Sequence, residues 1–279
     1  MTVTLSGVSI SSNNSNTSYA KVGDTITVEF TASGALKGDP VVTFKSNGGD
    51  ITNSVTVTNT SGTTYEAEYI NDTDDLEGDV TFKITYRYRD GNNVLSGTVT
   101  TTNNESSVYF DNTIPTLSSV SISSNNSNIT SYANLDDEVT LTFSASEEIS
   151  TPTIVFKSGG DAINNTTITY TNTSDNTWTA TYTVAAGDTD GTVGYTIDFK
   201  DAGDNSGTTV TTVTDSTTVT VDKTAPTLSP VSITSSNSNT GFAIPGNTVT
   251  LTFTANEEID TPTVTFTSGG GAITNSVTA

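Results

Sequence analysis

The sequence has no cysteine and no histidine, and its 9 lysines and arginines stand against 31 aspartates and glutamates, for a formal net charge of -22. The missing thiols exclude disulfides, and together with the missing imidazoles they argue against zinc and copper sites. No ordinary general base is present at neutral pH, so we predict that the chain is not an enzyme. The large negative charge argues against nucleic acid or an anionic membrane surface as a partner.

Long apolar runs are also missing. No stretch approaches the ~18 consecutive apolar residues of a membrane span, and no basic segment followed by an apolar run opens the sequence. Glycine-rich phosphate loops, dinucleotide fingerprints and the GxSxG motif of hydrolases are absent as well. We therefore expect no direct membrane insertion in this segment, and any export signal or anchor would lie outside it.

Threonine and serine are abundant, with 61 and 34 residues, and they favour strands and turns over helices. Apolar residues alternate with polar ones, for example at Val139, Leu141 and Phe143, and about seven such stretches occur in each repeat. The predicted fold class is therefore all-β, with tandem immunoglobulin-like antiparallel β-sandwich domains of about seven strands. The same alternation places Trp178 in the core, and a sugar-stacking platform is the alternative role for its ring.

The chain repeats one motif three times: GVSISSNNSN begins at Gly7, SVSISSNNSN at Ser119 and PVSITSSNSN at Pro230. The spacing, 121 minus 9 and 232 minus 121, is 112 and then 111 residues, which is the size of a whole small domain. We predict domain 1 at residues 1–115, domain 2 at 116–226 and the N-terminal part of a third sandwich, incomplete in this segment, at 227–279. Either this is a segment of a longer array, or strands from another molecule complete the third sandwich.

Three further strings carry a family resemblance. They are TFSASEEIS from Thr142 to Ser150, FKDAGDNSG from Phe199 to Gly207, and VDKTAPT from Val221 to Thr227. They resemble the bacterial Ig-like repeats of large cell-surface adhesins and related exported proteins. The resemblance implies an extracellular, stalk-like array, in several members of which calcium stiffens the junctions between domains. Domain 1 departs from this pattern, because it has SGALKGD from Ser33 to Asp39 where the later repeats have two glutamates.

Acidic residues fall in loops that should meet where two domains join. When seven strands, named A to G, alternate in direction, the BC and FG loops share one end of a domain with the incoming linker, and the EF loop lies at the other end. The first junction would gather Asp111 from the linker, Glu147 and Glu148 from BC, Asp201, Asp204 and Asn205 from FG, and Asp72 and Asp74 from the EF loop of domain 1. The second would gather Asp222 from the linker, Asp188 and Asp190 from the EF loop of domain 2, and Glu257 and Glu258 from the next BC loop.

So many anions repel one another unless a cation neutralises them. Calcium takes about six to eight oxygen ligands from carboxylates, asparagine, backbone carbonyls and water, and loops of this composition supply such ligands. Magnesium fits less well because it demands near-octahedral geometry. We predict calcium at both junctions, where it would convert a flexible linker into a fixed angle. The alternative is that these residues only form hydrogen bonds within their own turns, in which aspartate and asparagine are favoured.

Three functions fit this sequence. The first is an extracellular stalk or spacer of a large surface adhesin, in which each repeat contacts the neighbouring repeats of the same chain. The second is a subunit of a surface layer or extracellular filament, in which identical chains contact one another through the same Ig-like domains. The third is a glycan-binding module, which would require an exposed cluster of aromatic side chains.

Overall fold

The computed structural model describes residues 2–173 and 176–273. The chain divides into two compact units, Met1–Asp222 and Lys223–Ala279. The first unit contains two complete β-sandwiches, built from the first and second sequence repeats. No helix in the described ranges is long and apolar enough to cross a membrane.

Domain 1 consists of two facing sheets. Its strands are β1 (Leu5–Ser12), β2 (Tyr19–Ala20), β3 (Thr25–Ala32), β4 (Val41–Ser46), β5 (Gly49–Asp50), β6 (Thr56–Ser61), β7 (Thr64–Ile70), β8 (Gly78–Asp90), β9 (Asn93–Val99) and β10 (Val108–Phe110). One sheet has the order β1-β3-β7-β6 and the other β2-β10-β8-β4-β5, with β9 paired to the outer part of β8. If the seven main strands are named A to G, these orders contain A-B-E-D and G-F-C, the arrangement of immunoglobulin constant-type domains.

Domain 2 repeats this arrangement. Its strands are β11 (Leu117–Ser124), β12 (Tyr132–Ala133), β13 (Glu138–Ala145), β14 (Thr153–Ser158), β15 (Asp161–Ala162), β16 (Thr169–Asn172), β17 (Thr177–Thr183), β18 (Gly191–Asp198) and β19 (Thr220–Val221). The sheets run β11-β13-β17-β16 and β12-β19-β18-β14-β15. All pairings are antiparallel except the short β2–β10 and β12–β19 pairs. The prediction of tandem Ig-like antiparallel β-sandwiches is confirmed.

The second compact unit contains four strands in the described residues: β20 (Leu228–Ser235), β21 (Val249–Ala255), β22 (Thr267–Ser268) and β23 (Gly271–Ala272). They form two separate two-stranded pairs, β20 with β21 and β22 with β23. Because no facing sheet covers β20 within the described residues, residues that correspond to core positions of the earlier repeats are exposed here. Val231 and Ile233 are 55% and 62% exposed, whereas the corresponding Val120 and Ile122 are 1% and 4% exposed.

Each complete domain has its own apolar core, formed by the alternating residues of facing strands. An aromatic pair recurs across the sheets at equivalent positions: Phe44 contacts Tyr69, and Phe156 contacts Tyr182, each with ring centroids 4.8 Å apart. Trp178 is 6% exposed and belongs to the core of domain 2, as its period-2 spacing predicts. Burial of each such side chain contributes about 1.5–3 kcal/mol, so these pairs hold the two sheets of each domain together.

The domains differ mainly in the length of strand F. In domain 2, β18 ends at Asp198, whereas β8 of domain 1 continues to Asp90 and pairs with β9 over its outer half. The alternation of buried and exposed residues along β8 continues past Tyr86 to Tyr88, which is 6% exposed. The hairpin replaces the FG loop that carries the acidic residues in domain 2.

Candidate metal centre at the domain junction

Three carboxylates from separate parts of the chain meet between domains 1 and 2. Asp111 follows β10 in the linker, Glu147 lies in the loop between β13 and β14, and Asp201 lies just after β18. One oxygen from each of the three lies within 4.8 Å of the others. Two strand pairings place the loops at the same end of domain 2, because β14 and β18 are hydrogen-bonded neighbours and Ile149 bridges to Asp201. The alternation of strand directions therefore brings together residues that are up to 90 positions apart, since 201 minus 111 is 90.

Asp201 is the most buried of the three, with 2% exposure. Its Oδ1 accepts a hydrogen bond from the backbone N–H of Asn205 at 2.9 Å, and its Oδ2 accepts one from the Asn205 side-chain amide at 2.9 Å. The same amide nitrogen donates to the backbone carbonyl of Asp111 at 3.0 Å. Asn205 thus positions both the buried carboxylate and the linker. Its side chain makes these bonds through the amide nitrogen, which cannot ligate a cation.

Glu147 supplies the least satisfied oxygen of the cluster. Its Oε1 is buried and has no hydrogen-bond partner within the described part of the chain. Burial raises the pKa of Glu147 above its ordinary value, and the negative charges of Asp111 and Asp201 raise it further. A buried anionic oxygen without a partner is costly, and a bound cation would remove that cost.

The pKa of Asp111 is raised by burial and, to a smaller extent, by the charges of Asp201 and Glu77. The backbone N–H of Thr113, which donates to Asp111 Oδ1 at 3.1 Å, acts in the opposite direction. Burial and neighbouring carboxylates therefore both disfavour the charged forms of Asp111 and Glu147 in the folded chain.

Glu77 is a fourth carboxylate near the site that the sequence reasoning missed. It lies in the EF loop of domain 1, and its Oε1 accepts a hydrogen bond from the backbone N–H of Asn112 at 2.7 Å. Its carboxylate also accepts the Thr113 hydroxyl at 2.9 Å and 3.0 Å. Aligning the two EF loops on Gly78 and Gly191 pairs Glu77 with Asp190, and that alignment is the signal that could have identified it.

Hydrogen bonds between the two domains surround the carboxylates. The amide of Asn14, which is 5% exposed, donates to the backbone carbonyl of Gly203 at 2.9 Å, and the Ser15 hydroxyl donates to Asp204. Gly203 also leaves little room, since a Cβ there would lie 3.3 Å from the Cβ of Asp111 and 3.3 Å from Asp201 Oδ1. The AB loop of domain 1 and the FG loop of domain 2 therefore form a polar joint around the carboxylate cluster.

Two further residues predicted at this junction lie beside the cluster and outside it. Asp204 forms an ion pair with Lys200, and hydrogen bonds from Lys200 and Ser15 lower the pKa of this carboxyl. Glu148, the next residue in the same loop, is exposed. Among the described residues, no lysine or arginine forms an ion pair with Asp111, Glu147 or Asp201.

The predicted EF-loop aspartates bond mainly within their own turns. Asp188 is 3% exposed and accepts the backbone N–H groups of Asn164 at 2.7 Å and Ala185 at 2.9 Å. In domain 1, Asp72 accepts the N–H of Asp74 at 3.2 Å. These contacts fit the alternative role in local structure for Asp188 and Asp72, and calcium ligation by Asp72, Asp74, Asp188 and Asp190 stays a prediction. Asp190 immediately precedes Gly191 at the start of β18.

The domain 1 residue equivalent to Asp188 is Asp75, which is absent from the predicted set of ligands. Asp75 is 6% exposed and accepts the N–H groups of Thr52 at 2.8 Å and Asp72 at 3.0 Å. Both domains thus use one buried aspartate to tie the EF turn to the preceding connection.

The residues predicted at the second junction fall in different compact units. Asp222 belongs to the first unit, and its backbone N–H bonds to the carbonyl of Ala133 at 2.9 Å, as that of Asp111 bonds to Ala20 at 2.8 Å. Glu257 and Glu258 belong to the second unit, and Oε1 of Glu257 is buried without a hydrogen-bond partner in the described residues. Calcium at this junction stays a prediction from the sequence.

The donor set at the first junction suits a hard divalent cation. Asp111, Glu147 and Asp201 supply up to six carboxylate oxygens and three negative charges, and they contain no nitrogen or sulfur ligand. Calcium binds such all-oxygen sites, with its remaining positions taken by backbone carbonyls or water. Zinc and copper would prefer histidine or cysteine, which the sequence does not contain.

No protein family model matches the chain, and no curated protein matches it. Several solved structures do. The titin I-band fragment I67-I69 aligns with 85% of this chain and 80% of its own length, at 9% identity and a TM-score of 0.40. The I9-I11 tandem of titin aligns over 78% and 65%, at 17% identity and a TM-score of 0.26. A DUF4785 family protein from Legionella pneumophila aligns over 73% and 55%, at 9% identity and a TM-score of 0.33. At these identities and TM-scores the similarity transfers no function.

Proposed function

We propose that the chain is an extracellular structural array, the stalk or spacer of a large surface adhesin, in which calcium fixes the angle between neighbouring Ig-like domains. The observation that carries this proposal is the convergence of Asp111, Glu147 and Asp201 at the joint between domains 1 and 2. Two of these residues belong to domain 2 and one to the linker, so an ion bound by all three ties the linker to the second domain.

The electrostatics of the joint support a cation. The pKa values of Asp111 and Glu147 are both raised by burial and by neighbouring carboxylates, and Oε1 of Glu147 lacks a hydrogen-bond partner in the described structure. A carboxylate cluster used only for solubility would be exposed and separated by water. Calcium, when bound, would supply two positive charges to this cluster, while Asn205 holds Asp201 and the linker carbonyl in place.

The amino-acid composition supports an extracellular location and a structural role for the chain. A chain with no cysteine, no histidine and a charge of -22 offers little for catalysis, and its Thr- and Ser-rich surface is well solvated. Each domain contributes a rigid, fully packed sandwich, and the joint sets the direction in which the next domain projects. The function then depends on the number of copies and on the stiffness of the joints.

Small-angle X-ray scattering of the full chain in millimolar calcium and in chelator tests this proposal, together with calorimetric titration of calcium. We expect at least one binding event and a narrower distribution of interdomain distances in calcium. The variant Asp201→Asn should lose both effects, while Asp198→Asn, three residues earlier and outside the cluster, should keep them. Identical scattering profiles of the parent chain in the two conditions would contradict calcium stiffening.

A further inference from the structure

The outer face of the β1-β3-β7-β6 sheet in domain 1 carries three clustered glutamates. Glu29 on β3 lies directly opposite Glu66 on β7, and Glu68 follows two residues later on the same face. Like charges placed directly opposite each other destabilise a sheet. The pKa of Glu66 is raised, first by partial desolvation and then by Glu29 and Glu68. No ion pair to these glutamates occurs in the described residues.

The outer face of the opposite sheet carries a row of basic residues. Lys83, Arg87 and Arg89 are exposed positions along β8 and alternate with buried apolar ones. Arg87 and Arg89 are the only arginines in the sequence. Within the described ranges, no ion pair to this row occurs.

Two exposed valines lie on the basic face. Val41 is 62% exposed and lies opposite Thr85, and Val94 is 43% exposed and lies opposite Arg89. Cross-strand partners share one face of a sheet, so the apolar and basic groups are neighbours. Burying such valines against another surface would add apolar burial to the charge attraction.

Domain 2 has the same fold with an uncharged residue at four of these six positions. When the strands of the two domains are aligned by their registers, threonine occupies four positions that are charged in domain 1. Thr142 corresponds to Glu29, Thr179 to Glu66, Thr181 to Glu68 and Thr196 to Lys83. The sandwich therefore folds with threonine at these positions. The like-charge pair in domain 1 is not required by the fold, and the two faces need another explanation.

We propose that domain 1 associates with domain 1 of a second copy, the acidic face of one copy packing on the basic face of the other. We call the face of Glu29, Glu66 and Glu68 the acidic face, and that of Lys83, Arg87 and Arg89 the basic face. Because the two faces lie on opposite sides of one domain, each copy presents one free face after pairing, and the contact is heterologous and open-ended. The partner follows from charge complementarity.

The net charge of the chain opposes this contact, but screening limits the opposition. The Debye length is about 8 Å at physiological ionic strength, so charges elsewhere on two copies are largely screened while faces in direct contact attract. Three exposed ion pairs correspond to about a tenfold change in affinity. The contact is weak for a single pair of chains and gains strength when many arrays lie side by side.

The proposal does not depend on calcium, so sedimentation velocity of the full chain in chelator tests it. The protein concentration should reach about 1 mM, because complexes with a Kd of that order are then populated. Two variants each remove one face: E29T/E66T/E68T introduces the threonines that domain 2 has there, and K83T/R87T/R89T replaces the basic row with threonine. We expect the parent chain to self-associate and each variant alone to bind itself about tenfold more weakly. An equimolar mixture of the two should form one-to-one pairs, because each variant retains the face that the other lacks.

The variants shift the net charge in opposite directions, so a general charge effect would strengthen one association and weaken the other. Loss of association in both, with recovery on mixing, supports the contact. Circular dichroism of each variant checks that the fold is retained, and recovery in the mixture requires folded chains. A monomeric parent chain, association that survives in both variants, or association that requires calcium would overturn the proposal. The calcium test is a separate measurement, because the six substituted residues lie outside the cluster of Asp111, Glu147 and Asp201.

Discussion

Glu147→Gln separates the two roles of the carboxylate cluster, because glutamine keeps the size of the side chain and removes its charge. In calcium the variant loses one of three carboxylate ligands. In chelator it removes repulsion between Glu147 and its neighbours Asp111 and Asp201. The substitution should therefore destabilise the chain in calcium and stabilise it in chelator.

The structure sets the size of both effects. Two unit charges at the 4.8 Å limit of this cluster repel by about 3 kcal/mol at the effective dielectric of surface sites. Solvent and salt screening reduce this to about 1 kcal/mol of stabilisation for Glu147→Gln in chelator. Calcium at about 100 times its Kd stabilises the parent chain by about 2.7 kcal/mol. For a unit of this size each kcal/mol raises Tm by about 2–4 °C, so calcium should raise the parent Tm by about 5–11 °C.

Differential scanning calorimetry in millimolar calcium and in EDTA measures both effects. Glu148→Gln is the matched control, since its carboxylate is the exposed neighbour of Glu147, and it should keep the calcium-dependent rise in Tm. A Glu147→Gln variant that keeps the whole calcium effect would refute the metal site. A variant that is destabilised equally in calcium and in EDTA would show that Glu147 is only a structural residue.

Three further outcomes follow from the same region. In chelator, the free energy of unfolding should rise as pH falls from neutral, because the pKa values of Asp111 and Glu147 are raised in the folded chain. The folded state then takes up protons at a pH where the unfolded state does not yet bind them. Urea titrations at several pH values measure this change. Asn205→Ala should cost about 1–3 kcal/mol in urea unfolding and weaken calcium binding, because its amide holds the buried carboxylate and the linker carbonyl. Gly207→Ala should cost about 1–3 kcal/mol, since the new Cβ would lie 2.1 Å from the Phe199 ring, and an unchanged urea midpoint would contradict that packing.

Most of the fold could be predicted from the sequence because burial imposes a strict alternation. Val139, Leu141 and Phe143 are each fully buried, and the polar residues between them lie on the outer face. Because the sequence repeats every 111–112 residues, strands identified in one domain also predicted the equivalent strands in the next. The hairpin formed by β8 and β9 escaped the prediction, since most residues of β9 are exposed and give no clear period.

The candidate site was predicted in part for a related reason. Strand direction alone fixes which loops share an end of a sandwich. It therefore predicted that Asp111, Glu147 and Asp201 lie at the same junction. It does not fix which way a loop side chain points. The exact turn of the EF loop decides whether a carboxylate faces the linker, as that of Glu77 does, or the backbone of its own domain, as that of Asp188 does.

Comparison of the two domains separates carboxylates that serve the fold from those that serve an interaction. Asp75 and Asp188 occupy equivalent positions, are buried, and accept backbone N–H groups within their own domain, so each is explained by local structure. Asp201 is equally buried and also bonds within its own loop, to Asn205, but it additionally lies beside the carboxylates of Asp111 in the linker and Glu147 in another loop. Glu29 and Glu66 repel each other on a face where domain 2 has threonines, and nothing within domain 1 requires them. The array therefore uses one fold for three purposes: carboxylates within loops close turns, those between domains form the joint, and those confined to one domain's surface mark where another molecule binds.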